Sequence, residues 1–100
     1  MHLPEEDFQT IGNSIDGAEP GKLFGKACFK TQGKAFVCFF QDCMVFKLGQ
    51  DFHAQAIGMD GAQLFDPSGK GRSMKEWVQV PHAHVTRWPE LAHAALKFCS

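Results

Sequence analysis

The chain has no tyrosine, no Cys-x-x-Cys pair and no surplus of either charge: ten Lys and Arg stand against eleven Asp and Glu, a formal net charge of −1. Each shortage excludes something. Near-neutral charge argues against a protein that lives on nucleic acid. Four cysteines, at 28, 38, 43 and 99, show no paired spacing, and three of them sit inside apolar strand-like runs. That pattern points to buried thiols in a reduced, cytoplasmic setting. No segment approaches the ~20 apolar residues that a membrane helix requires. The start, "MHLPEEDF", is acidic and has no apolar stretch of the secretory kind, so neither a membrane span nor a leader is expected.

Phenylalanine, by contrast, is plentiful, with ten copies against two tryptophans. A core of large, purely apolar rings follows. One hundred residues bound a single domain, 1–100. A chain of that size buries roughly 65% of its unfolded surface, enough for one core. The charge is unevenly placed. Glu5, Glu6, Asp7, Asp16 and Glu19 put −5 into residues 1–19, which hold no Lys or Arg. Because the whole sums to −1, the remainder carries +4. Its lysines read as a solvated strand face or as a weak anion-facing patch.

Residues 4–15 predict a helix: Pro4 opens it, acids crowd its first turn, and Phe8, Ile11 and Ile15 form one stripe. "DGAEPG" then breaks the chain. Strands are expected at 22–30, 34–40 and 44–48, with "TQG" and "QDC" as tight turns between them, hence an antiparallel meander. A short helix at 51–58, strands at 62–66 and 73–80, and a final helix at 87–99 complete the order. Leu91, Ala95 and Phe98 mark the apolar stripe of that last helix. The expected class is α+β, a two-layer sandwich of order α-β-β-β-α-β-β-α, with one antiparallel five-stranded sheet and its helices on one face. One feature resists that scheme. A one-sided sheet alternates apolar and polar residues, yet in 34–40 both alternating sets are apolar. Something must cover the second face. Phe36, Phe40 and Phe46 are the candidate dimer face, with a homodimer packed sheet to sheet as the preferred cover and a folded-back terminus or a ligand as the alternatives.

The chemistry-bearing residues are few. "DPSGKGRSMKEW", residues 66–77, resembles a phosphate loop but lacks the Gly-x-x-x-x-Gly-Lys-Ser/Thr spacing, and no helix begins there. It reads first as a connection between strands. Lys26, Lys30, Lys70, Arg72 and Lys75 remain the candidate contacts for an anion or nucleic acid. His82-x-His84 places two imidazoles on one side of an extended segment, but no third ligand is fixed by spacing, so no metal is expected. Cysteines in apolar strands are inert, and neither Ser68 nor Ser73 has a histidine in view. No catalytic set and no cofactor is therefore expected. Trp77 and Trp88 read as core.

The stretches "KLFGKACFKTQGKAFVCF", "MVFKL", "LFDPSGKGRSMKEWVQVP" and "RWPELAHAAL" resemble the TfoX/Sxy N-terminal domain family, related in fold to the MmcQ/YjbR-like proteins. The residues that carry the likeness are Phe24-Gly25-Lys26, Gly33-Lys34 and the run from Met74 to Pro81. The resemblance spans residues 10–99 and implies a two-layer α-β3-α-β2-α fold in a bacterial cytoplasmic protein. In the namesake this domain is joined to a C-terminal helical domain and acts as a regulator of natural competence. This chain matches only the N-terminal part. The expectation is a non-enzymatic regulatory or protein-binding module, probed against DNA binding through the lysine-bearing strands and the 66–75 loop as the alternative.

Overall fold

A computed structural model describes residues 3–23, 25–66, 71 and 74–99. Helix α1 (Pro4–Asn13) leads into strands β1 (Glu19–Leu23), β2 (Lys26–Thr31), β3 (Lys34–Phe40) and β4 (Cys43–Lys47). Helix α2 (Gln50–Ile57), strands β5 (Gln63–Phe65) and β6 (Met74–Pro81), a 3₁₀ segment (His82–Arg87) and helix α3 (Trp88–Cys99) follow. The six strands form one antiparallel sheet in the order β1-β2-β3-β4-β6-β5. The class is thus the expected α+β, with one strand more than expected.

The extra strand has a local cause. The anticipated run 22–30 is divided at Gly25, whose φ of 76° lies in the left-handed region that glycine enters freely. The chain folds back there, and Glu19-Pro20-Gly21, which looks like loop, becomes the first half of an edge strand paired to β2. Pro20 is tolerated because an edge strand need not donate from every N–H. The β2–β3 reversal places Gln32 and Gly33 at φ 51° and 80°, the two-residue turn whose twist suits a hairpin. Gln41 and Asp42 do the same between β3 and β4, at φ 48° and 63°.

The helices lie on one face of the sheet. Phe8, Ile15, Phe29, Val37, Met44, Phe46, Val78, Val80, Trp88 and Leu91 are buried together there. In α1, Pro4 and the acids Glu5, Glu6 and Asp7 make the first turn, and the Glu6 carboxylate accepts from the Leu3 N–H at 3.4 Å. The helix then comes so close to the sheet that a Cβ placed on Gly12 would stand 2.0 Å from the Phe29 ring. Only glycine fits at that crossing.

The second face is not open. Cys28, Cys38, Val45, Phe65 and Trp77 are buried on it, with Leu23, Ala35, Phe40 and Met74 packed around them. Phe40 on β3 and Phe65 on β5 have ring centroids 5.3 Å apart, although β4 and β6 lie between those strands. In a flat sheet three inter-strand steps span ~14 Å. The sheet therefore curls with this face concave and closes a second small core within one chain. This corrects the expectation that an outside body must cover it.

The proposed dimer face is corrected with it. Phe36 and Phe46 are 0% exposed and belong to the helix-side core, so neither has surface to give a partner. For Phe36 the reason is a β-bulge. Phe29 pairs with Val37 but Lys30 pairs with Ala35, leaving Phe36 as the extra residue. Two consecutive side chains, Phe36 and Val37, then enter the same core, and the period-two alternation breaks. Phe40 does face the other way, but it is half-buried in the concave cluster.

Candidate interaction surface at the end of helix α3

The described members of the sequence-derived cation set, Lys26, Lys30 and Lys75, do not form one patch. Lys26 and Lys30 project from the concave side of β2, flanking Cys28. Lys26 Nζ sits 4.9 Å from the centroid of the Phe40 ring, a cation–π contact, and is half-buried. Lys30 lays its stem across Gly21, where an added Cβ would meet its Cε at 3.0 Å. Lys75 is exposed at the start of β6, with β3 and β4 between it and β2. Lys70 and Arg72 lie outside the described residues. Within the same loop, the Gly71 N–H donates to Asp66 Oδ2 at 2.8 Å, a bond that braces a turn.

Three of the histidines, His53, His82 and His84, serve the scaffold. His53 Nε2–H donates to the Lys75 carbonyl and His84 Nε2–H to the Asp60 carbonyl, each at 2.8 Å. His82 Nε2 meets Asp7 Oδ2 at 2.7 Å and stands edge-on to Trp88, which pins α1 to the segment after β6. His82 and His84 thus turn to different partners rather than to a shared ion. Among the described residues no three His, Cys, Asp or Glu side chains are grouped to hold a metal.

Nor do the thiols have the character of nucleophiles. Burial pushes Cys38 up to about 12, with repulsion from Cys28 adding and Lys26 opposing. Burial also raises Cys28, against the pull of Lys30 and Lys22. Cys43 is raised by burial too, against a hydrogen bond donated by the Gln79 amide at 3.6 Å. Cys99 is raised by burial, opposed by Lys47 and Lys34. A thiolate is the reactive form, and all four sites disfavour it.

What remains is a surface that the sequence did not disclose. Leu91 and Ala95 of α3 are buried as expected, but Phe98, next along the same stripe, is 43% exposed. The last turn of α3 reaches the junction of β4 and α2, where the Phe98 ring rests over Gly49. A Cβ on Gly49 would stand 2.9 Å from the ring, so the missing side chain is what seats it. Phe52 of α2 is 38% exposed and shares a depression of about 310 Å³ with Phe98, Ala94 and Lys97. On the other side of Phe98 a hollow of about 380 Å³ runs to His53, Lys75 and Glu76. A third, of about 280 Å³, runs to Gln32, Lys34, Lys47 and Cys99. Phe98 is the wall common to all three. Only its place at the helix end distinguishes it from a core residue, and no residue pattern reports how far a helix overshoots its sheet.

No helix among the described residues is long and apolar enough to cross a membrane. No protein-family model matches the chain, and no curated protein matches it either.

Proposed function

We propose that this chain is a non-enzymatic protein-binding module of regulatory character, and that its docking surface is the groove between α2 and α3 with Phe98 and Phe52 as anchors. One observation carries the reading. Apart from Leu3 at the start of α1, these two rings are the large exposed apolar side chains among the described residues, and they flank connected shallow hollows. Aromatic anchors in a groove between helices are a common means of holding a partner segment. A cytoplasmic setting belongs to the same proposal, supported by four free thiols. So does the resemblance to the TfoX N-terminal domain, whose expected order of helices and strands agrees with the fold in all but the divided first strand.

The test is selection of a displayed random-peptide library on the immobilised protein, counter-selected on a Phe52→Ser/Phe98→Ser variant whose circular dichroism matches the parent. Peptides that hold the parent and not the variant are the expected result. An enriched pool indifferent to the two substitutions would remove the groove from the proposal. The nucleic-acid alternative ranks lower because Lys26 and Lys30 are spent on Phe40 and Gly21 and stand apart from Lys75. Anisotropy of a labelled duplex of about 30 base pairs, titrated at rising salt, decides it. Salt-sensitive micromolar binding would restore it.

A further inference from the structure

We infer that the segment received at this groove is acidic, carrying a carboxylate beside an apolar anchor; this rests on the protein-binding reading above. The argument begins with two lysines. Lys34 opens β3 and Lys47 closes the adjacent β4, at the same end of the sheet. Both line the hollow of about 280 Å³ that starts at the Phe98 ring. Neither has an ion-pair partner among the described residues, whereas Arg87 is matched to Glu90 and His82 to Asp7. Both also act on the Cys99 thiol that lines the hollow, opposed there by Glu76. Glu76 is the single acid lining that hollow. In the neighbouring hollow past Phe98, Lys75 is balanced by Glu76, so the excess of positive charge lies on the Lys34 and Lys47 side.

The hollow therefore pairs an apolar ring with two lysines against one acid. A carboxylate fits there and an ammonium does not. An extended segment places alternate side chains ~7 Å apart on one face. An apolar residue on Phe98 with an acid two positions away would reach the lysine pair. Partly exposed charge pairs of this kind add modest affinity and much selectivity, because they reject like-charged sequences.

The same peptide selection tests this when its charge content is read. Random peptides of about a dozen residues are selected in parallel on the parent, on Lys34→Gln/Lys47→Gln and on Phe98→Ser. The inference expects that the Phe98-dependent peptides carry a clear excess of Asp and Glu over Lys and Arg. It expects that the excess disappears on the lysine variant. It also expects the best of them, resynthesised, to lose about tenfold in affinity on that variant and to weaken with salt. Phe98-dependent peptides with no acidic bias would overturn the inference and leave the groove reading standing. A failure of any peptide to depend on Phe98 would overturn both. A dimer seen by light scattering and lost on Phe98→Ser would assign the groove to a second copy and overturn the partner named here.

Discussion

The two faces of the sheet are cores of different construction. On one, three helices lie over Phe29, Val37, Phe46 and Val78, with Phe8 from α1, Ala56 from α2 and Leu91 from α3 among the covering residues. On the other, among the described residues, the cover comes from the strands themselves. Curling brings Phe40, Phe65 and Trp77 together over Cys28 and Cys38. The first face is a layered sandwich, the second a shallow barrel half-closed on itself. Small residues sit at the floor of the concave side, where neighbouring side chains converge, and large rings at its rim. An alternation of two apolar sets along β3 is thus satisfied by one chain, with no partner required.

The strongest way to break this comparison is to remove a ring from each side. Phe46→Ala and Phe65→Ala are each expected to cost about 3–5 kcal/mol in urea unfolding, since both rings are fully buried. The midpoints should not move with protein concentration. A loss below about 1 kcal/mol at Phe65 alone would mean the concave cluster is no core. Next in size is Gly12→Ala. Its methyl would collide with the Phe29 ring, and the crossing of α1 over the sheet must open, at about 1–3 kcal/mol. An unchanged midpoint would show that α1 is loosely held.

The concave side also leaves a signature in alkali. An unfolded cysteine ionises near 9, whereas folded Cys38 keeps its proton to about 12 because burial opposes the charged form. Above pH 9 the unfolded chain sheds a proton that the folded one retains, so stability falls as pH rises from 9 towards 12. Cys38→Ala should make that fall shallower, measured as urea midpoints across the range. An equal slope would place the thiol in water. The smallest effect is expected at Phe98→Ser, within about 0.5 kcal/mol of the parent, because the ring is largely a surface one. A large loss there would turn the binding surface into a part of the core.

Much of this architecture is legible in the sequence. Pro4 and the following acids mark α1, Gly33 marks the β2–β3 hairpin, and the apolar runs 34–40 and 44–48 fall on β3 and β4. Trp77 and Trp88 are core, as their size suggests. Three things were not legible, each for a physical reason. Glu19-Pro20-Gly21 looks like a breaker because strand propensity says nothing about edge positions, where proline is admitted. Phe36 was assigned to the wrong face because a bulge shifts the alternation by one residue without changing composition. Phe98 was assigned to the core because helical periodicity gives direction around an axis and not distance along it. The candidate surface, built from Phe98, Phe52, Lys34 and Lys47, depends on that last point and on the meeting of four separate elements. Of the described residues that the sequence nominated for contact, Lys75 lies there and Lys26 and Lys30 do not.

Pro20 and the brevity of β5 have a consequence for how this molecule can meet others. An open sheet has two margins at which a foreign strand can be added, and an exposed, regular margin invites polymerisation. Here one margin carries a residue with no N–H to offer, and the other is three residues long, Gln63–Phe65. Growth of the sheet by strand addition is discouraged at both ends. Curling turns the remaining flat surface inward, so the molecule is left with helices as its means of address. Association, where it occurs, is channelled to side-chain recognition at the helical end instead of to backbone pairing.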